Sequence, residues 1–209
     1  MNKQTGFTLI ELAIVLVIIG LLLGGVLRGQ ELINSAKVKN MANDFRSIPV
    51  YIYGYQDKFK ALPGDDRAAA GHVAGVNGDG SGAIDGFWDA EDPALESVKF
   101  WEHVRKAGLA TGSQTLPTAT GSSPFYPTNS DGGRIGVSSV LPIATLPGAY
   151  FMCSKAILGK YAKQLDATID DGTPDGGSLR ATTGPSAATA PAAATTYADS
   201  TGYTLCMGF

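Results

Sequence analysis

The chain opens with an uninterrupted apolar segment, and its polar residues are concentrated outside that segment. Residues 7–27 carry only two polar side chains, Thr8 and Glu11. A helix rises about 1.5 Å per residue, so this segment would reach roughly 30 Å, the thickness of the hydrocarbon core of a bilayer. The pattern predicts a membrane-spanning helix over residues 7–28.

A second apolar pattern predicts that the helix continues as an amphipathic segment over residues 29–60. Apolar side chains recur there at steps of three and four, which is the period of a helix. They are Met41, Phe45, Ile48, Ile52, Tyr55 and Phe59. Pro49 interrupts the pattern and should kink the helix or remove a hydrogen bond, at about 3 kcal/mol if nothing compensates. Residues 61–64 (Ala-Leu-Pro-Gly) are expected to end the helix.

The remaining residues, 61–209, predict a globular head with many loops, because the chain has 27 glycines and 11 prolines. Helices are predicted from Asp92, with Asp92 as the N-cap, and over residues 156–169. Strands are predicted at 134–141, 148–153 and 202–209. Residues 181–196 contain only Ala, Thr, Gly, Pro and Ser and are expected to form a flexible surface loop, with O-glycosylation suggested by composition alone.

The position of the apolar segment distinguishes it from a secretory signal peptide. In a signal peptide a small residue follows the apolar region, as part of the cleavage site, and no acid lies inside. Here Gly6 precedes the segment and Glu11 lies within it. A carboxylate at that depth costs about 2.5–3.5 kcal/mol on insertion scales, so we expect Glu11 to be functional and to have a partner.

The residues KQTGFTLIE, positions 3–11, closely resemble the processing site of type IV pilins and of the pseudopilins of type II secretion. The resemblance implies a pilin-like α+β fold, with the long helix packed on a head that holds a small antiparallel sheet. It also implies that a prepilin peptidase removes the leader, residues 1–6, by cutting between Gly6 and Phe7. The new Phe7 amine would be methylated, and Glu11 would act in filament assembly with the machinery of the inner membrane.

The spacing of these residues has a chemical consequence of its own. Phe7 and Glu11 are four residues apart, so both lie on one face of a helix. If neighbouring helices are offset along their axes, the Glu11 carboxylate of one subunit can meet the Phe7 ammonium of the next. Burial penalises each charge alone and favours the pair, which would therefore select one register. The alternative is an ordinary membrane anchor with an isolated acid.

A glycine-rich segment of the head suggests a calcium site. Oxygen-bearing side chains at alternate positions, with a glycine at the sharp turn, copy part of an EF-hand loop. They are Asn77, Asp79, Ser81 and Asp85. The twelfth position should be a bidentate Glu and is Trp88 instead. The alternative is a turn whose Asn and Asp side chains bond their own backbone. A second acidic turn, residues 170–175, is a weaker candidate.

The two cysteines, Cys153 and Cys206, lie in the part of the chain that the anchor would place outside the cytoplasm. An even number of cysteines in an oxidising compartment favours one disulfide, and two buried thiols are the alternative. The pilin resemblance implies the same disulfide, because many pilins close a C-terminal loop in this way.

The remaining composition excludes several classes of function. The chain has 16 basic and 19 acidic residues, a net charge of −3, so no basic face for nucleic acid is expected. It has no phosphate-binding loop, no cysteine–histidine metal spacing and no nucleophile with an evident histidine partner. An enzyme is therefore not expected.

Three hypotheses for function follow. The first is a pilin that polymerises with itself or with other pilins. The second is a pseudopilin or minor pilin of a type II secretion system, and the third is a membrane-anchored binding protein that does not polymerise. The first two predict a single-pass protein in the inner membrane with its head outside the cytoplasm, and later an extracellular or periplasmic filament.

Overall fold

The computed structural model describes residues 8–118, 124–184 and 189–209. The chain divides into two compact units, Met1–Lys37 and Val38–Phe209. Helix α1, Leu9–Phe59, contributes to both. The other elements are α2 (Ala69–His72), α3 (Glu96–Lys106), β1 (Ile135–Ser138), β2 (Phe151–Leu158), α4 (Gly159–Ile169), β3 (Leu179–Thr182) and β4 (Gly202–Gly208).

In the first unit, the apolar part of α1 that the structure describes has uncovered side chains. All residues from Thr8 to Arg28 are exposed, and Leu16 and Leu21 each expose at least 70% of their surface. By length and composition, α1 can cross a membrane. Each square ångström of apolar surface left in water costs about 25 cal/mol, so this segment requires a lipid or protein environment.

The second part of α1 is amphipathic, as its sequence pattern predicts. Its buried residues are Val38, Met41, Ala42, Phe45, Ile48, Ile52 and Tyr55. Phe59, the last residue of the predicted stripe, is half-buried. The helix continues through Pro49, which has no N–H to offer the carbonyl of Phe45. Burial of the stripe therefore outweighs the cost of proline inside the helix.

The sheet has four antiparallel strands in the order β1-β2-β4-β3. Together with the helices it gives the α+β fold class that the sequence predicts. The central pair places Cys153 of β2 directly opposite Cys206 of β4, and the two cysteines form a disulfide. Ala156, with a φ of 60°, lies where the β2–β4 register shifts.

The two faces of the sheet pack against different apolar clusters. Met152 and Leu205 belong to the main core, which also contains the buried stripe of α1. Their neighbours Cys153 and Cys206 belong to a smaller cluster with Trp88, Ile143, Leu146 and Phe151. Successive side chains of a strand point to opposite faces, so the disulfide lies on the face away from α1.

The prediction of a loop over residues 181–196 is wrong at its start, where two residues belong to a strand; the other described residues, 183–184 and 189–196, have no helix or strand. Ala181 and Thr182 belong to β3, which the sequence analysis missed. The Ala194 N–H donates to the Ala181 carbonyl (2.7 Å), and the Thr182 hydroxyl donates to the Ala192 carbonyl (3.0 Å). Backbone and hydroxyl groups make these bonds, so an apolar side-chain pattern could not reveal them. Residues 185–188 lie outside the described ranges.

Two helices begin later than predicted. Helix α3 begins at Glu96, because the Asp92 carboxylate accepts the Ala94 N–H (2.9 Å) and forms a turn before the helix. Helix α4 begins at Gly159, because β2 continues as far as Leu158. In both cases the sequence pattern predicts helix for residues that form a different element: a turn before α3, and the end of β2 before α4.

A buried histidine holds the segment after α1 against α3. His103 is fully buried; its Nδ1 accepts the Gly64 N–H (2.8 Å), so its Nε2–H donates to the Val76 carbonyl (2.8 Å). Gly64 has a φ of +95°, and a Cβ there would lie 2.6 Å from the Glu96 carbonyl oxygen. Burial lowers the pKa of His103, so the neutral ring is the form that joins these segments.

We expect the loss of stability caused by His103→Gln to depend on pH. In wild type the unfolded chain gains a proton as pH falls through about 6.5, while the buried ring stays neutral, so this histidine's contribution to stability decreases with falling pH. The free energy of unfolding of wild type minus variant, measured by denaturant titration, should shrink from about pH 7.5 to about pH 5.5. A difference in unfolding free energy that does not change with pH would contradict this role of the neutral His103 ring.

The disulfide should contribute mainly through the unfolded state, because β2 and β4 are already paired by their backbones. It joins residues 53 positions apart. Closing a loop of that length stabilises a fold by about 4 kcal/mol in the chain-entropy model. We expect the double variant Cys153→Ala/Cys206→Ala to lose about 2–4 kcal/mol of unfolding free energy while its circular dichroism spectrum stays that of wild type.

Candidate functional site

The first candidate site is the beginning of α1. Gly6 and Phe7, the predicted cleavage residues, lie outside the described ranges. Glu11 is exposed, and its Oε2 accepts hydrogen bonds from the Thr8 N–H (2.8 Å) and the Thr8 hydroxyl (2.7 Å). The Glu11 N–H donates weakly to the Thr8 hydroxyl oxygen (3.4 Å). Thr8 and Glu11 thus form the reciprocal bonds of a capping box.

Sequence reasoning identified Glu11 but missed its local partner, although Thr-x-x-Glu is a recognisable capping pattern. The bonds from Thr8 provide donors for a carboxylate that would otherwise lie unpaired in an apolar helix. They occupy Oε2, while Oε1 accepts no hydrogen bond from any described residue. Among the described residues, Oε1 of Glu11 is therefore left for a further donor.

The surface around this carboxylate is suited to close helix packing. Large apolar side chains surround the helix; Leu9 exposes 89% and Ile10 68% of their surface. A Cβ added at Gly20 or Gly24 would meet no atom within 4 Å, so the two glycines leave a shallow notch on the helix. Small residues four apart let neighbouring helices approach closely in a membrane.

The second candidate site is the acidic loop of the head. Asn77, Asp79 and Asp85, three of the four predicted calcium ligands, line a cavity of about 360 Å³ together with Glu96. The fourth, Ser81, does not line it; its N–H donates to the Asp65 carboxylate (2.8 Å).

Three carboxylates converge at this loop. Ligand oxygens of Asp65, Asp79 and Glu96 lie within 4.8 Å of one another. Of the predicted ligands, only Asp79 belongs to this carboxylate group. Asp65 and Glu96 are far from the loop motif in sequence, so its spacing carried no signal for them. Both are buried, and the tertiary fold brings them to Asp79.

Backbone hydrogen bonds hold the carboxylates in place. Glu96 accepts the N–H groups of Asp79 (2.9 Å) and Asp85 (3.1 Å). Asp65 accepts the N–H groups of Ser81 and Gly82, each at 2.8 Å. The predicted alternative, a turn with side chains bonded to its own backbone, also describes Asp79, whose carboxylate accepts the Ser81 N–H (2.8 Å).

The electrostatics of the group favour a cation. Burial raises the pKa of Glu96, and the charges of Asp65 and Asp79 raise it further. Hydrogen bonds from Ser81 hold the pKa of Asp79 below its usual range. Calcium takes six to eight oxygen ligands at about 2.3–2.6 Å, so oxygens less than 5 Å apart can share one ion. Asp65, Asp79 and Glu96 therefore fit a hard cation.

A second acidic group is built for structure. It consists of Asp166, Asp170 and Asp171. The Tyr197 hydroxyl donates to Asp166 (2.5 Å), and Asp170 accepts the N–H of Leu179 at the start of β3 (2.8 Å). Burial raises the pKa of Asp166 to about 6. These bonds tie the end of α4 to neighbouring segments. Asp170 and Asp171 of the weaker calcium candidate belong to this group, whereas Asp175 does not.

The comparisons with known proteins concern the N-terminal segment. Residues 1–27 match the family model described as the prokaryotic N-terminal methylation motif. This motif is the signature of type IV pilins and pseudopilins, as the resemblance of residues 3–11 predicts. No curated protein and no solved structure matches the chain. The match and the apolar helix suggest a membrane anchor, and the motif itself implies processing by a prepilin peptidase.

Proposed function

We propose that this chain is a pilin, a structural subunit that polymerises through its N-terminal helix into a type IV pilus-like filament. The observation that carries the proposal is the methylation motif at residues 1–27, together with the exposed apolar surface of α1 from Leu9 to Leu27. A prepilin peptidase would cut between Gly6 and Phe7, and Phe7 would become the methylated N-terminus. The function is structural, and no catalytic step is assigned to the chain.

Assembly would exchange lipid for neighbouring helices around the same apolar surface. Lipid tails and apolar side chains are similar surroundings, so packing and polar contacts must supply the preference for the filament. Glu11 supplies the polar contact, because its free Oε1 can accept from the Phe7 ammonium of a neighbouring subunit. Bonds from Thr8 would orient the carboxylate before that partner arrives.

Two alternatives use the same N-terminal features. A pseudopilin or minor pilin of a type II secretion system shares the motif, and would form a short periplasmic filament. A membrane-anchored binding protein would keep the helix in the bilayer without polymerising. The pilin is preferred over the binding protein because a simple anchor has no use for Glu11 at this depth.

The proposed location is the inner membrane, with the head outside the cytoplasm, before assembly into a filament. The Cys153–Cys206 disulfide supports this orientation, because disulfides persist in oxidising compartments. Both cysteines are fully buried in the head.

The central prediction concerns Glu11. We expect Glu11→Ala to reach the membrane in normal amounts but to yield about tenfold less sheared filament, because the register-setting charge is lost. Intact-mass measurement of wild-type filaments should show a chain that begins at methylated Phe7. Glu11→Asp, which keeps the charge on a shorter side chain, serves as the matched comparison and should lose less.

Three outcomes would separate the hypotheses. Processed wild-type protein found only in the envelope fraction would favour the pseudopilin or minor pilin. Normal filaments from Glu11→Ala would contradict the role of the charge. An uncut chain beginning at Met1 would contradict the proposal as a whole.

We also propose that calcium stabilises the acidic loop of the head. Asp65, Asp79 and Glu96 would supply carboxylate oxygens, with Asn77 and Asp85 nearby on the wall of the cavity that Asp79 and Glu96 line. The ion would offset the repulsion among three converging carboxylates, two of them buried. The support is the convergence of oxygen ligands, which a turn stabilised only by its backbone would not need.

We expect millimolar calcium to raise the melting temperature of the full-length protein in detergent micelles, and EDTA to reverse the change. By mass action, an ion present at about 100 times its dissociation constant adds about 2.7 kcal/mol. Asp79→Asn should abolish the response, whereas Asp175→Asn, in the other acidic turn, should keep it. The same melting temperature with calcium and with EDTA would contradict the calcium proposal.

A further inference from the structure

A small cavity beside the head portion of α1 contains one charged residue. The cavity has a volume of about 140 Å³, and Asp44 is the only ionisable acid or base among its lining residues, apart from the tyrosine. Ser47 and Tyr51 of α1 and Thr111 bring hydroxyl groups to the lining. The rest of the wall is apolar and includes Trp101 of α3.

The Asp44 carboxylate has no partner within the described ranges. It accepts no hydrogen bond and forms no ion pair there; only the Asp44 backbone carbonyl is used, by the Ser47 hydroxyl (2.8 Å). Other acids of the head differ: Asp66 is bonded to Tyr55 (2.8 Å) and to His72 (2.7 Å). Asp44 is nevertheless half-buried.

This arrangement leaves a desolvation cost without compensation. Burial raises the pKa of Asp44 to about 6, and no other group contributes to the shift. At neutral pH the carboxylate is therefore mostly charged in a site that disfavours the charge. A cation placed in the cavity would remove this cost.

We propose that the cavity beside Asp44 receives the ammonium group of a lysine from a second copy of this chain. This inference rests on the proposed filament function and adds an ion pair between the heads of neighbouring subunits. An ammonium is compact and has three donors, which match one carboxylate and the hydroxyl oxygens on the wall. A guanidinium is larger, planar and carries five donors, so it fits this small cavity less well.

The chain has suitable lysines on its surface. Lys39 and Lys163 are exposed, and neither makes a hydrogen bond or ion pair within the described parts of the chain. No lysine of the same chain pairs with Asp44 within those parts, so a lysine that pairs with it would belong to another copy. Because Asp44 is only half-buried, its carboxylate can be reached from outside.

The test uses sheared wild-type filaments and a carbodiimide, which joins a carboxylate to a contacting amine as an amide. We expect a covalent dimer on a denaturing gel, and mass spectrometry of that band should identify Asp44 joined to a lysine. Asp44→Asn should remove this crosslink and lower the yield of filament by about fivefold or more. Asp57→Asn, at an exposed acid of the same helix, is the matched control and should leave both unchanged.

A second measurement separates the proposed role from a merely structural one. In unassembled protein, kept in detergent micelles at neutral pH, Asp44→Asn removes an uncompensated charge. Its melting temperature should therefore equal or exceed that of wild type, although it assembles poorly. A residue needed for folding would instead give a lower melting temperature.

Exchanging the acid and the lysine between the two positions should restore filament assembly. Asp44→Lys combined with Lys→Asp at the crosslinked position should recover filaments that neither single change forms. Normal filaments from Asp44→Asn, an Asp44 crosslink confined to monomers, or a lowered melting temperature would each overturn the inference. If wild type forms no filaments at all, the proposed function fails first and this inference fails with it.

Discussion

The exposed apolar surface of the first part of α1 is the constraint on which the rest of the molecule depends. From Thr8 to Arg28 no side chain is covered by the described parts of the chain. Such a surface cannot remain in water, since burying one large aliphatic side chain is worth about 1.5–3 kcal/mol. A bilayer and a bundle of apolar helices would both satisfy it.

The beginning of the helix shows how one carboxylate can serve both environments. In the single chain, Thr8 donates twice to Glu11 and closes a capping box. These bonds use Oε2 of Glu11, and no described residue donates to Oε1. A carboxylate with no local donor would be costlier to insert, and one with both oxygens occupied would have nothing to offer a neighbour.

The head solves a different problem, because long segments without regular structure have to be held in place. Buried polar side chains bind these segments through backbone groups. His103 holds Gly64 and Val76, Asp65 holds Ser81 and Gly82, and Glu96 holds Asp79 and Asp85. These bonds fix loop segments to the buried side chains, although most of the residues held in this way are themselves exposed. Asp65 and Glu96 are also members of the carboxylate group that we propose binds calcium.

The sequence by itself determined the helix, the processing motif, the amphipathic stripe and the α+β class, because each depends on residue type and short-range period. It also identified Glu11, Asp79 and the two cysteines. It did not reveal β3, whose residues belong to an Ala/Thr segment without a strand pattern, nor the partners Asp65 and Glu96. Only the tertiary structure decided those, together with the isolation of Asp44 in its cavity. The physical reason is that backbone pairing, convergence of distant side chains and loss of hydration arise when segments far apart in the chain pack together.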